Sequence, residues 1–277
     1  MKNKCNYWNI YLVLLLFTRF SYATDIFKWT DTQGQIHYSD KKHSNATEYK
    51  PVQDFSFYNV QKVYDGDTIL LSDGRKIRLL GINTPEIEHA DQAEQAGGEV
   101  ARQWLTQQLL NTRVRLEFDS EKRDKYKRHL AHIFTEQGLH LNRELVRLGY
   151  ASTSIYPPNL KYVAELLAAQ QVAETGRLGI WQYSDYAPKF TSELSNKNKQ
   201  GWQRIIGRVL RIKSTSKSRY LKLNDNFDVR IKKEHLQYFD TLSLLKGKKI
   251  EVRGWVNKYK NGFSVLVKHP SAIKILD

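Results

Sequence analysis

Four short pieces of this chain carry residue types that could serve one reaction. They are Asp65-Gly66-Asp67-Thr68, the run Ile77-Arg78 through Thr84-Pro85-Glu86, Asp124-Lys125-Tyr126-Lys127-Arg128, and Leu141-Asn142-Arg143-Glu144-Leu145-Val146. Hydrolysis of a phosphodiester passes through a dianionic, five-coordinate phosphorus. It needs positive charge held at that centre and a water that is oriented or deprotonated, and a hard divalent cation assists both. Asp67, at a tight glycine turn, is a hard oxygen donor. Arg78 and Arg128 can each grip phosphate oxygens with two parallel N–H groups. Glu86 can hold or activate a water. Taken singly the pieces carry little: Asp-Gly-Asp is more often a turn, and a lone Arg or Glu is more often a solvated surface group.

Elements must position these residues. Phe57–Tyr64, Thr68–Leu71 and Lys76–Leu80 alternate like strands, with Asp73-Gly74 as a hairpin turn. Ala90–Leu110 has helical spacing, Arg113–Asp119 and His129–Thr135 return to strand character, and Leu139–Gly149 and Asn159–Glu174 read as helices. Five short strands with helices among them suit a small closed barrel of the OB type. Residues 202–277 are again strand-rich, with five expected strands (204–212, 220–223, 227–231, 249–256 and 263–267), which suggests a second OB-like barrel. The fold class is therefore mainly β with helices. His129 and His132, three apart on a strand, point to opposite faces and make a poor metal pair.

The flanks complete the layout. Residues 1–23 read as a secretory signal, with Lys2 and Lys4 before an eleven-residue apolar run, too short for a spanning helix, and Ser21-Tyr22-Ala23 as a cleavage site. Residues 24–50 form a small hairpin module (strands around Phe27, Trp29 and Ile36, Tyr38), with 41–54 read as polar linker. The central domain spans 55–183, a second linker 184–200, and a basic module 201–277. The single Cys5 excludes an intrachain disulfide and a multi-cysteine zinc site. Export without a mature cysteine points to the periplasm or the medium, with no membrane segment after cleavage.

The chain has 277 residues and a net charge of +15. Residues 24–201 carry 23 Lys/Arg and 23 Asp/Glu, whereas residues 202–277 carry 18 against 6. A neutral body with a basic appendage predicts a polyanionic partner, most often nucleic acid. Aromatics interleave with that charge (Trp202, Tyr220, Phe227, Trp255, Tyr259, Phe263), as in modules that hold single strands by a cationic groove and stacking platforms. Substrate tethering is the functional expectation and a structural cap its competitor.

Residues of about 57–182 resemble the staphylococcal nuclease family. The resemblance rests on Gly66-Asp67-Thr68, Arg78-Leu79-Leu80 through Thr84-Pro85-Glu86, Asp124-Lys125-Tyr126-x-Arg128-x-Leu130-Ala131, Leu145-Val146-Arg147-x-Gly149-x-Ala151 and Gly179-Ile180-Trp181, in the family's order. It implies an OB barrel with helices and a calcium-dependent nuclease acting on DNA and RNA, leaving 5′-hydroxyl and 3′-phosphate ends. It implies Asp67 as a calcium ligand and Thr84 as a ligand through its carbonyl. Glu86 would be the general base or water-orienting group, Arg78 and Arg128 the phosphate clamps, and Lys125 and Tyr126 contacts to a neighbouring phosphate. Two positions depart from the family. Asn83 stands where a second calcium carboxylate is usual, so weak calcium binding is expected. Lys127 stands where glycine is usual, in the loop that presents Arg128. A single-stranded substrate is expected. The rival readings are an envelope protein that binds nucleic acid without cutting it, and a binder of another polyanion.

Overall fold

The computed structural model describes residues 26–49, 56–87, 95–194, 201–259 and 262–277. The signal segment therefore lies outside the described residues, as do 195–200 of the second linker and 90–94 of the first expected helix. The chain divides into two compact units, 1–54 and 55–277.

In the first unit, β1 (Ile26–Thr30) pairs with β2 (Ile36–Ser39) as expected. A third strand, β3 (Thr47–Tyr49), joins the other edge of β1. This corrects the reading of residues 41–54 as linker. Three residues are too few to show an alternating pattern, yet they cover an edge that would otherwise be unpaired. Trp29 is stacked between His37 and His43, at ring distances of 5.2 and 5.0 Å.

The second unit begins with β4 (Phe57–Asp65), β5 (Thr68–Leu71), β6 (Lys76–Leu79) and the short β7 (Ile82–Asn83). Then come α1 (Gly98–Leu109), β8 (Arg113–Arg123), β9 (His129–Thr135), α2 (Leu141–Arg147), β10 (Ser152–Thr153) and α3 (Val163–Thr175). Strands β4-β5-β6-β9-β8 close into a barrel in which β6 and β9 run parallel. Ile69, Leu71, Ile77, Leu79 and Ile133 fill it, and Leu105, Leu145 and Leu166 bring the helices onto it. Asn142 is fully buried. It accepts from the Ile133 N–H at 2.9 Å and donates to the Leu80 carbonyl at 2.9 Å, so α2 locks the ends of β6 and β9 together.

The third helix starts later than Asn159. The Asn159 side chain accepts from the Glu121 N–H at 2.7 Å and donates to the Glu121 carbonyl at 3.0 Å, and the Lys161 N–H donates to Asp119 at 2.7 Å. These bonds stitch residues 159–161 to β8 and hold them out of the helix. Gly149 and Gly179 explain each other. The Ile180 N–H donates to the Gly149 carbonyl at 2.8 Å, and a Cβ on Gly179 would lie 2.1 Å from that oxygen. Both residues have positive φ, so two motifs far apart in sequence are one backbone contact that admits no side chain.

His132 is buried beside His140, with Nδ1 and Nε2 3.2 Å apart, among Phe134 and Tyr162. Burial pushes His132 down to about 4; burial and the neighbouring His132 push His140 down to about 3. Both imidazoles stay neutral in the folded protein where the unfolded chain, titrating near 6.5, takes up protons. Stability is thus lost as pH falls from about 6.5 toward 4. We expect each of these residues to contribute roughly 2.5 kcal/mol of that loss by pH 4.5. Urea denaturation at pH 7 and 4.5 measures it, and His140→Phe should remove about half of the slope.

The basic module comprises β11 (Lys189–Phe190), β12 (Trp202–Arg208), β13 (Arg211–Ser214), β14 (Ser218–Lys222), β15 (Phe227–Lys232), β16 (Lys249–Tyr259), β17 (Gly262–Val267) and β18 (Ile273–Ile275). The sheet runs β11-β12-β16-β17-β15-β14-β13, with β18 on β16. The expected strand 204–212 is broken at Val209-Leu210, so its halves β12 and β13 lie at opposite ends of one strand path. The sheet repeats the strand order of the first barrel, including its parallel pair, here β15 and β17. No β12–β13 pairing closes it among the described residues; the chain itself joins the two edges at Val209-Leu210, and it is a second barrel in this sense. It has its own core around Ile205, Phe227, Val229 and Val252.

Residues 184–194 are not a free linker. A 3-10 turn at Ser184–Tyr186 buries Tyr186, and β11 pairs with β12. Polar composition hid this because one aromatic anchors the segment. Tyr186 and Trp181 both pack on Trp202, at 5.8 and 6.2 Å.

Candidate active site

The turn between β4 and β5 presents Asp67, and Asp65 holds the turn by accepting the Asp67 N–H at 2.9 Å. Asp67 is nearly buried. One oxygen accepts the Thr68 hydroxyl at 3.1 Å. The other accepts the Thr84 N–H at 3.0 Å and pairs with an Arg78 terminal nitrogen at 2.9 Å. Arg78 comes to this place because it pairs with Thr68 in the β5–β6 register. It also donates to the Leu79 carbonyl at 2.6 Å and to the Asn83 side-chain oxygen at 3.3 Å. The Asn83 amide nitrogen donates in turn to the Thr84 carbonyl at 3.0 Å. Asp67, Arg78, Asn83 and Thr84 thus form one connected network.

The β8–β9 turn presents the second cationic group. One Asp124 oxygen accepts the N–H groups of Tyr126 and Arg128 at 2.9 and 3.0 Å, and the other accepts Arg128 Nε at 2.8 Å. The terminal nitrogens of Arg128 take no protein acceptor among the described residues. Lys127 adopts φ 66°, the left-handed conformation for which glycine is the default. The loop geometry therefore persists without glycine, at a backbone cost of about 1 kcal/mol. Tyr126 is 67 % exposed, with Lys125 Nζ 4.8 Å from its ring.

A cavity of about 470 Å³ is lined by Arg78, Asn83, Lys125, Tyr126, Arg128 and Tyr156, among others. Asp67 and Thr84 stand behind Arg78. Glu86 does not line this cavity. Its N–H donates to the Gln95 side chain at 3.2 Å and its carbonyl accepts the Gln95 N–H at 2.9 Å. Its carboxylate is close enough to Tyr186 to add to burial in pushing that phenol up. Residues 88–94, which follow Glu86, lie outside the described residues.

The donor set suits a hard cation. Asp65 is mostly buried beside Asp67; burial, and then the charge of Asp67, push its carboxyl up to about 6. Two facing carboxylates, the Thr84 carbonyl and the Asn83 amide oxygen are all oxygen donors, and Arg78 is the cation recorded among them. No cluster of three or more His, Cys, Asp or Glu occurs among the described residues, so neutral oxygens would have to complete any coordination here.

Three contributors escaped the sequence reading. Asp65 is part of the quoted Asp-Gly-Asp turn, and its spacing could have marked a second carboxylate. Asp124 lies four residues before the arginine it orients. Asn159, which fixes the Glu121 backbone at the cavity wall, had no local signal.

A family model described as "Staphylococcal nuclease homologue" matches residues 76–183, and a domain of unknown function (DUF4124) matches residues 13–54. A thermonuclease of Staphylococcus intermedius is 39% identical over 128 residues, covering 45% of this chain and 76% of that one. Endonuclease YncB of Bacillus subtilis is 32% identical over 172 residues, covering 57% and 81%. An uncharacterised protein of Methanocaldococcus jannaschii is 31% identical over 198 residues, covering 63% and 94%.

Proposed function

The chain belongs to the staphylococcal nuclease family and is a nuclease, and from that premise we propose that it is an exported, metal-assisted enzyme cutting DNA and RNA with little sequence preference. The observation that carries this reading is the shared cavity of Arg78 and Arg128, each guanidinium oriented by a carboxylate, Asp67 or Asp124. Oriented guanidinium groups in a confined cleft stabilise charge that develops on a phosphate without reorganising during the reaction.

In this mechanism Arg78 and Arg128 hold the scissile phosphate, and Lys125 and Tyr126 contact its neighbour. Glu86 takes the proton of the attacking water, or orients that water, a role that requires its carboxylate to turn from its place outside the cavity toward the arginines. The bond that breaks is to the 5′-oxygen, so the ends are 5′-hydroxyl and 3′-phosphate. Asp67, the Thr84 carbonyl and Asn83 would hold calcium, which when bound supplies positive charge at the phosphate and lowers the pKa of water. The site of action is the periplasm or the medium.

The test is digestion of single-stranded DNA and of RNA with calcium, with chelator, and by Glu86→Gln. Loss of cutting under both treatments supports the enzyme. Binding without cutting in any divalent ion would return the reading to a nucleic-acid-binding envelope protein. Absence of affinity for either polymer would favour another polyanion. Asn83→Asp adds a charge and removes the amide N–H that occupies the Thr84 carbonyl. It should lower the calcium concentration for half-maximal rate by roughly tenfold, the order of one screened charge contact, read by a calcium titration.

A further inference from the structure

Lys268, just beyond β17 in the second barrel, lines the cavity of Arg78 and Arg128 in the first. Its ammonium lies 4.1 Å from the ring centre of Tyr156. A second cavity of about 230 Å³ lies between the barrels and shares Ser154, Tyr156 and Lys268 with the first, so the two adjoin. Trp255 and Leu266, on adjacent antiparallel strands β16 and β17, line this second cavity, and both are over a third exposed. Basic side chains extend along the same surface. Burial pushes the Lys268 ammonium down; Lys232 of β15 and, more weakly, Lys125 of the β8–β9 loop add to this, while Glu234 and Glu121 oppose it. Lys232, paired with Glu234 at 3.2 Å, in turn lines a shallow surface with Lys217, Arg230 and Lys233, where four cations face one carboxylate. An excess of basic side chains along one groove suits a polyanion.

We propose that the groove between the barrels is an extended single-strand subsite, in which Lys268 holds a phosphate next to the scissile one and Trp255 stacks a base farther along the strand. This rests on the reading that the central site acts on polynucleotide. The second barrel is then part of the substrate cleft and not a module tethered at a distance. Aromatic stacking serves any base, so the groove favours length over sequence.

The experiment uses the full chain carrying Glu86→Gln and fluorescein-labelled dT16, with anisotropy titrations between 50 and 200 mM salt. Lys268→Ala should raise Kd about fivefold and make the salt slope shallower by about 0.7, the value of one single-strand phosphate contact. Trp255→Ala should raise Kd about tenfold with the slope retained. Lys268→Arg, which keeps the charge, should restore affinity and slope, a rescue that misfolding would not permit. Unchanged dT16 affinity in Lys268→Ala or Trp255→Ala overturns the subsite, as does a loss in Lys268→Ala without a change of slope. Cleavage by the parent chain is scored separately. A parent that cuts while Lys268→Ala binds normally sinks the groove alone. A parent that never cuts while Lys268→Ala loses affinity sinks hydrolysis alone.

Discussion

Arg78→Ala should lower kcat/KM on single-stranded DNA by at least 100-fold, and Arg128→Ala by a similar factor, because each removes a preorganised donor to transition-state charge. Their effects on stability should differ. Arg78 is bonded at once to Asp67, the Leu79 carbonyl and Asn83, and its side chain is 16 % exposed. Its loss leaves Asp65 and Asp67 facing each other without a cation, at a cost of about 2 kcal/mol. Arg128 stands in a turn whose Asp124 still receives two backbone N–H groups after the substitution. That variant should unfold within about 0.5 kcal/mol of the parent. Steady-state kinetics with urea denaturation of both variants separates the roles. Equal kinetic loss with unequal stability is the expected pattern, and a kinetically normal Arg78→Ala would remove the phosphate clamp from the mechanism. Arg78→Lys should not rescue, since one ammonium cannot replicate a planar fork shared among three acceptors.

The first barrel was legible because its strands are amphipathic and its turns carry their own chemistry: Asp73-Gly74 closes β5 and β6, and Asp124 closes β8 and β9. Arg128 was legible with its loop because Asp124, which orients it, stands four residues before it, whereas Arg78 is brought to Asp67 by the β5–β6 register. What stayed hidden depends on distant partners. The start of α3 is set by bonds to Asp119 and Glu121 across the molecule. The β12–β13 break follows from one strand serving two barrel edges, which no local pattern records. The packed half of the second linker turns on Tyr186 meeting Trp202. Lys268 reads as one more surface lysine until the fold brings it against Tyr156. The position of Glu86, outside the cavity of the arginines, is likewise tertiary, since Gln95 fixes its backbone from beyond residues 88–94.

The largest stability effect should come from the charges that join the barrels. Arg204 and Arg253 are direct partners in the β12–β16 register, a like-charge pair that by itself repels. Two carboxylates reverse the sign. Glu251 accepts from Arg204 at 2.7 and 3.0 Å and from Arg253 at 2.6 Å, while Glu174 of α3 accepts from Arg253 at 2.5 and 2.9 Å. Although burial disfavours its charge, Glu251 is held below the usual carboxylate range by the arginines. The four groups are balanced two against two and mostly out of water. Arg253→Ala leaves Glu174 without its bidentate partner and Glu251 with one cation, so we expect a loss of about 3 kcal/mol in urea denaturation. Glu174→Ala should cost a similar amount, because it restores the repulsion between facing arginines with one carboxylate to offset it. The double variant should lose clearly less than the two losses combined, as partners in one network do. The exposed pair Arg208–Asp277, 3.2 Å apart, is the control and should cost under about 1 kcal/mol. Additive losses from Arg253→Ala and Glu174→Ala would mean that this contact does not couple the barrels, and the docked arrangement of the two would need another cause.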